Sequence, residues 1–298
     1  MKARLFIVPL VLLAASCQLE VIDLDYVEEV PEAAADSVFT LTVQASKGEP
    51  DTKALDLVND GRTLNFFWKN TETVAVYKDG TRVGALAVTP GEGEKPTSAT
   101  LGGDITVAGL AQGNELTMVF PREAWDYDGQ TGTLASIEAS YDYATATVTI
   151  SEIVGDQITA SAASFANQQS VYRFGFKDGE SYIDPKSFTV SAASGKLVKS
   201  MSWNGSAWAP LYNDITVTPE SAAGDHFYYV SLRNDGTDSD VYNFTITGSD
   251  YALYLASKAI PASVLDAPGK FISAKSVNAV KPDFAPAGGS ISEPENVF

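Results

Sequence analysis

The chain has 298 residues, 45% of them apolar and 19% charged, enough for one large packed domain or two ordinary ones. Its 38 Asp and Glu outnumber 20 Lys and Arg, for a formal charge of −18, the opposite sign from the basic footprint that displaces counterions from nucleic acid. One Cys and one His exclude a disulfide framework within the chain and zinc sites built from several thiolates or imidazoles.

In chain order, Lys2 and Arg4 precede an apolar run from Leu5 to Leu13 that is short for a bilayer of about 30 Å and has the form of a signal-peptide core. Leu13-Ala14-Ala15-Ser16-Cys17 resembles the lipobox of bacterial lipoproteins, with Ala14 where Leu is more usual. That resemblance implies a signal peptide over 1–16 and lipidation of Cys17 as palmitoylated N-terminus. Ordinary cleavage at a small-residue site, with Cys17 a bystander, is the alternative, and either route exports the protein. Loss of residues 1–16 takes two basic residues away and leaves a net charge of −20. Residues 17–37 follow as an acidic tether (Glu20, Asp23, Asp25, Glu28, Glu29, Glu32, with Pro31) too charged to pack. Asp36-Ser37-Val38 matches a short O-glycosylation acceptor motif at Ser37, with chance as the default reading of three residues.

From Val38 onward the dominant period is two, the signature of half-buried strands. Phe39, Leu41 and Val43 alternate with polar residues, as do Leu64, Phe66 and Trp68. Val74-Val76, Leu116-Met118-Phe120, Val148-Ile150, Phe174-Phe176, Phe188-Val190, Ile215-Val217, Phe227-Tyr229 and Phe244-Ile246 continue the pattern. Five Asp-Gly pairs, at 60–61, 79–80, 128–129, 178–179 and 235–236, supply the positive φ values of tight turns. The clearest hairpin is 74–83 around Asp79-Gly80, and the one helical candidate is a short turn near Pro261–Leu265. This predicts an all-β protein of two antiparallel sandwiches, over 38–165 and 166–281, divided at the small-residue stretch before Ser164–Asn167. A Pro/Gly-rich tail, 282–298, ends the chain.

Little in this composition carries catalysis. His226 lacks a second His or a free Cys and is expected at a strand edge. The acidic loop Asn234–Asp240 offers oxygen ligands to a hard cation but lacks EF-hand spacing, and it is expected to be a solvated turn. Trp125, Tyr127, Tyr141 and Tyr143, with Trp203 and Trp208 flanking a hairpin, could stack on sugars or on one another. No catalytic residue, metal site or cofactor is expected.

The order of segments is the most informative feature. After the lipobox and tether come Phe39-Thr40-Leu41-Thr42-Val43, a Lys-containing loop, a strand ending at Trp68, and Thr73–Tyr77. Then follow Leu116–Pro121, Ser164–Asn167 leading into Val171–Phe174, Phe227–Val230, Tyr242–Thr247, Ser257–Ala259 and Ala267–Lys270. This series resembles the fimbrillin-like lipoproteins, the subunits and accessory proteins of type V pili, over most of residues 17–281. The resemblance implies two tandem transthyretin-like β-sandwich domains displayed on the cell outer membrane as part of a fimbrium. It further implies partnership with other pilus subunits in a homo- or hetero-polymer, and adhesion to host or bacterial surface glycans or proteins. A trypsin-like protease would cut after a basic residue beyond the first strand, and a strand of another subunit would fill the vacated groove. Here the strand to be removed is Phe39–Val43, and the basic candidates in the loop Ala45–Ala54 are Lys53, preferred, and Lys47. A C-terminal donor strand would have to come from Phe271–Val280, because the Pro/Gly tail is a poor strand. That departure leaves tip, anchor and accessory roles beside a stalk role. The competing reading is a glycan-binding surface lipoprotein, with Trp203 and Trp208 as contacts.

Overall fold

The computed structural model describes residues 35–47, 67–121, 124–203, 208–265 and 268–282. Strands dominate. In the first half they are β1 (Ser37–Lys47), β2 (Thr73–Lys78), β3 (Thr81–Pro90), β4 (Ser98–Val107), β5 (Glu115–Phe120) and β6 (Ala124–Asp126). Helix α1 (Leu134–Ser140) precedes β7 (Ala144–Val154), β8 (Gln157–Ala160) and β9 (Ala163–Asn167). The second half holds β10 (Ser170–Asp178), β11 (Ser181–Ile183), β12 (Pro185–Ala192), β13 (Val198–Trp203), β14 (Trp208–Tyr212) and β15 (Ile215–Val217). It finishes with β16 (Tyr228–Leu232), β17 (Asp240–Gly248), β18 (Leu253–Ile260), α2 (Ala262–Leu265) and β19 (Phe271–Val280).

The first sheet runs β4-β3-β2-β5-β7-β8-β1-β9 and returns on itself, because β1 also pairs with β4. Its interior is mainly aliphatic: Leu41, Val43, Val74, Val76, Leu86, Leu101, Ile105, Leu116, Met118 and Val148, closed by Trp68, Phe120 and Phe165. The second sheet runs β11-β10-β19-β18-β17-β12-β15, with β16 also on β10, over an aromatic core that includes Tyr172, Phe174, Phe176, Phe188, Tyr228, Tyr242 and Phe244. Edge-to-face pairs such as Phe174–Phe244 at 4.9 Å fix those rings.

The hairpin predicted at 74–83 is β2–β3. Asp79 and Gly80 take φ of 48° and 84°, the left-handed pair that a two-residue turn between twisted strands requires. Between β10 and β11 the two turn residues are Gly179 and Glu180, with Asp178 still paired to Ser181 and only Gly179 at positive φ, 59°. Asp235-Gly236 does not turn a hairpin but lies in the loop between β16 and β17, where Gly236 N donates to Asn234 Oδ1. The phase expected for Phe227-Tyr229 is one residue off. Tyr228 and Val230 are the buried pair, because Gln130, inserted from the first half, bonds the backbone of Ser231 through both ends of its amide and sets which face looks inward. Helix α1 was not anticipated. Thr133 caps it by accepting from Ser136 N at 3.1 Å, and Ile137 anchors it in a small cluster with Val171.

Residues 124–143 cross the division drawn from the sequence. They lie between two strands of the first sheet, yet β6 pairs with β13, and Trp125, Tyr127 and Tyr143 sit in the aromatic core of the second half. Gly132, at φ 75°, has room for no Cβ beyond about the closest contact with Tyr228, 3.0 Å from an ideal Cβ position, so the crossing fits only as glycine there.

Candidate functional site

The site that the chain order singles out is the seat of β1. This strand is paired along both edges: antiparallel to β4 from Ser37↔Val107 to Ser46↔Ser98, and parallel to β8 at Thr40–Thr42 and to β9 at Ala45–Lys47. Leu41, Val43 and Ala45 point into the core while Thr42 and Gln44 face outward. Phe39 is only half-buried and packs at the margin of the core. Burial of Leu41 and Val43 alone is worth about 3–6 kcal/mol. The strand also satisfies the backbone groups of three neighbours, each of which would otherwise present a bare edge.

Lys47 corrects an expectation. The sequence placed it in an exposed loop as a cleavage candidate, but β1 continues through it and its side chain is 2% exposed. The strand extends this far because the inward alternation does not stop at Ala45; the next inward position simply carries a charge. Lys47 Nζ donates to the Phe67 carbonyl at 3.1 Å and lies 3.4 Å from both Glu72 Oε1 and Asp142 Oδ2. It also sits 3.8 Å from the centroid of the Phe120 ring and 4.6 Å from that of Trp68, so two aromatic faces and two carboxylates surround one ammonium. Burial pushes the Asp142 carboxyl above its ordinary value, against the opposing attraction and hydrogen bond of Lys47. Gln169 supports the other side, donating to Asp142 Oδ1 at 3.5 Å while its carbonyl accepts from Tyr143 N. An open cleft of about 430 Å³ borders the seat, lined by Lys69, Glu72, Phe120, Pro121, Glu138 and Asp142. Sequence reading missed Glu72, Asp142 and Gln169. The available signal was an acid between two tyrosines, Tyr141-Asp142-Tyr143, in an otherwise apolar approach to β7.

Lys53, Cys17 and the greater part of the Leu64–Trp68 strand lie outside the described residues, as does the tail from 283. Trp68 itself is buried against Phe120 and Phe165. Ser37 is exposed at the start of β1. Phe271–Val280, read as the candidate donor extension, is β19 and completes its own sheet, parallel to β10 and antiparallel to β18. Its apolar alternation is satisfied within the chain, by burial of Val277 and Ala279.

The aromatic platform is mostly interior. Trp203 and Trp208 pair across the β13–β14 hairpin, but the half-buried Trp208 stacks on Trp125 at 4.3 Å, and Trp125 stacks on Tyr143. Trp125, Tyr127 and Tyr143 are no more than 1% exposed, which leaves them no face for a sugar. His226 sits in a turn at φ 60° with Nδ1 2.7 Å from Asp184 Oδ1 and its ring stacked on Tyr182. In the acidic loop, Asp235 accepts from Arg233 Nε and Tyr212 Oη, whereas Asp240 accepts from Ser194 and Asn234. The carboxylates serve different donors, and among the described residues no group of three or more His, Cys, Asp or Glu is placed to hold a metal ion.

No family model and no curated protein matches this chain. Among solved structures, it is similar to a "putative cell adhesion protein" of Bacteroides ovatus, with TM-score 0.44 and 10% identity over 83% of this chain and 97% of that one. A fimbrial assembly protein of Parabacteroides distasonis gives TM-score 0.42 and 9% identity over 80% of this chain and 90% of that one. The tip fimbrial protein Mfa3 of Porphyromonas gingivalis, with a C-terminal truncation, gives 0.36 and 10% over 74% and 81%.

Proposed function

We propose that this protein is a non-catalytic component of surface fimbriae, a stalk, tip, anchor or accessory subunit, that assembles by exchange of β1 for a strand of another subunit. In this reading Cys17 carries the lipid that holds the chain at the outer membrane, residues 17–37 are its tether, and the two halves act as tandem domains. The observation that carries the reading is the placement of β1. It is the first strand of the folded body, it is the strand through which the first sheet returns on itself, and a long segment containing Lys53 separates it from β2. A cut in that segment frees β1 from the rest of the chain while leaving every other strand of the sheet continuous. The groove then offers the unpaired edges of β4, β8 and β9 and an apolar slot, which an extended segment completes by β-augmentation. The strand does not leave unaided, since its release exposes Leu41, Val43 and Ala45 together with the backbone on both sides.

The test is intact mass and N-terminal sequencing of the protein from its native surface, with and without a trypsin-like protease. A new terminus at Ala54 together with SDS-resistant ladders is the expected result. A single species that retains lipidated Cys17 and never forms ladders overturns strand exchange and leaves a monomeric surface lipoprotein.

A further inference from the structure

The seat of Lys47 is more elaborate than a plug strand needs. An apolar residue at this inward position would continue Leu41-x-Val43-x-Ala45 and avoid the cost of burying an ammonium. Instead Glu72 and Asp142 are brought to 3.4 Å of one nitrogen, between the faces of Phe120 and Trp68. Trp68 Nε1, also buried, meets no acceptor among the described residues. Once β1 has gone, all of these groups stay with the body: Glu72 starts just before β2, Phe120 ends β5, and Asp142 precedes β7. What remains is a hole with two carboxylates, two ring faces and a free carbonyl at Phe67, which is complementary to a primary ammonium and hostile to an apolar or acidic side chain. The adjoining cleft gives it a path to solvent.

Resting on the strand-exchange reading, we propose that this seat is the specificity-determining subsite of the groove, and that its occupant after assembly is a strand of another subunit with alternating apolar residues closed by a lysine, in the pattern Leu/Val-x-Val-x-Ala-x-Lys. The buried charge sets register as well as identity. A strand slipped by two residues puts its lysine among aliphatic side chains and leaves Asp142 without a counter-ion, so one register wins. The same ending recurs at the other end of the body. Strand β19 runs Val277-x-Ala279 into Lys281, with Val277 and Ala279 buried, and Lys281 Nζ lies 5.0 Å from the Tyr254 ring and 3.7 Å from Asp250. A lysine received by an aromatic face and a carboxylate is thus how both terminal strands of this chain are finished. The two differ in depth, since Lys281 is exposed and Lys47 is not.

The experiment uses the full chain with a specific protease site placed within residues 48–66, cut after folding. Fluorescent peptides with the sequence of residues 37–47 then compete with the resident strand, as the natural sequence and as Lys47→Met and Lys47→Glu versions. The natural peptide is expected to bind at least ~30-fold more tightly than the Lys47→Met peptide, with Lys47→Glu weaker still. In the Asp142→Asn protein the Lys-over-Met preference is expected to fall below about threefold. Equal binding of the Lys and Met peptides to the unsubstituted protein overturns the cation-reading subsite while leaving strand exchange intact. If no peptide enters the cut protein, strand exchange itself fails, and the subsite with it. Asp142→Asn and Lys47→Met combined in the uncut chain neutralise the two most deeply buried members of the seat and leave only Glu72, at its more accessible side, so a failure of the single variant to fold does not stop the measurement.

Discussion

Strands β1 and β19 occupy equivalent stations in the two halves, and they are held in different ways. Each is the terminal strand of its sheet in the sequence, each has both parallel and antiparallel neighbours, and a lysine ends β1 and directly follows β19. The aliphatic first half closes its sheet through β1 and fastens that strand's end with a buried ion pair. The aromatic second half leaves its sheet open, and the lysine after β19 reaches only a half-exposed aspartate. A buried charge contributes little net stability against an apolar replacement but is costly to misplace. The first half therefore spends its polar contacts on where a strand must sit, and the second relies on large rings to hold one arrangement.

The strongest way to break this contrast is to remove the buried cation. Lys47→Ala leaves Asp142 and Glu72 facing a void and is expected to cost about 4 kcal/mol, read by chemical denaturation, with loss of protection in β1 and β4 by hydrogen exchange. Unchanged stability would mean that the carboxylates are solvated and the seat is not closed. Next in size are the two cores. Leu41→Ala and Phe244→Ala are each expected to cost about 3 kcal/mol, and amide exchange should rise first in the half that carries the substitution. Equal loosening of both halves by either variant would show that they open as one unit.

A smaller effect sharpens the comparison through pH. Burial raises the Asp240 carboxyl, but hydrogen bonds from Ser194 and Asn234 outweigh it and hold its pKa below the ordinary 3.8. A carboxylate with a depressed folded pKa contributes stability above the ordinary range and loses it as pH falls through 3.8 toward the folded value. Asp240→Asn should therefore cost about 1 kcal/mol at neutral pH and flatten the acid limb of a denaturation-versus-pH curve. Asp142 titrates in the opposite sense, its raised pKa making the ionised form the less favoured one as pH climbs through the carboxylate range. An acid limb unaltered by Asp240→Asn would remove Asp240 from the account. The smallest effect is at Lys281. Lys281→Ala is expected to shift the melting temperature by no more than about 1 °C, as exposed pairs do, and a large shift would erase the difference between the two terminal strands.

What was legible in the sequence followed from short-range rules. Alternation placed β1, β5, β12 and β17, Asp79-Gly80 placed a hairpin, and Pro261–Leu265 marked α2. The errors arose where distant residues intervened: Tyr228 displaced Phe227 from the core because Gln130 grips Ser231, and 124–143 joined the second half across the first sheet. For the site, the sequence by itself determined that a first strand with inward Leu41 and Val43 precedes a lysine-containing segment, since a period of two is written into consecutive residues; that Ala45 continues the inward face was left to the structure. It could not determine that Lys47 is interior. That outcome depends on Glu72, Phe120 and Asp142, residues 25, 73 and 95 positions away, arriving around one nitrogen, and only the closure of the sheet brings them there. A lysine next to a strand is ordinarily solvated, and only tertiary structure supplies the carboxylates and ring faces that make burying one tolerable.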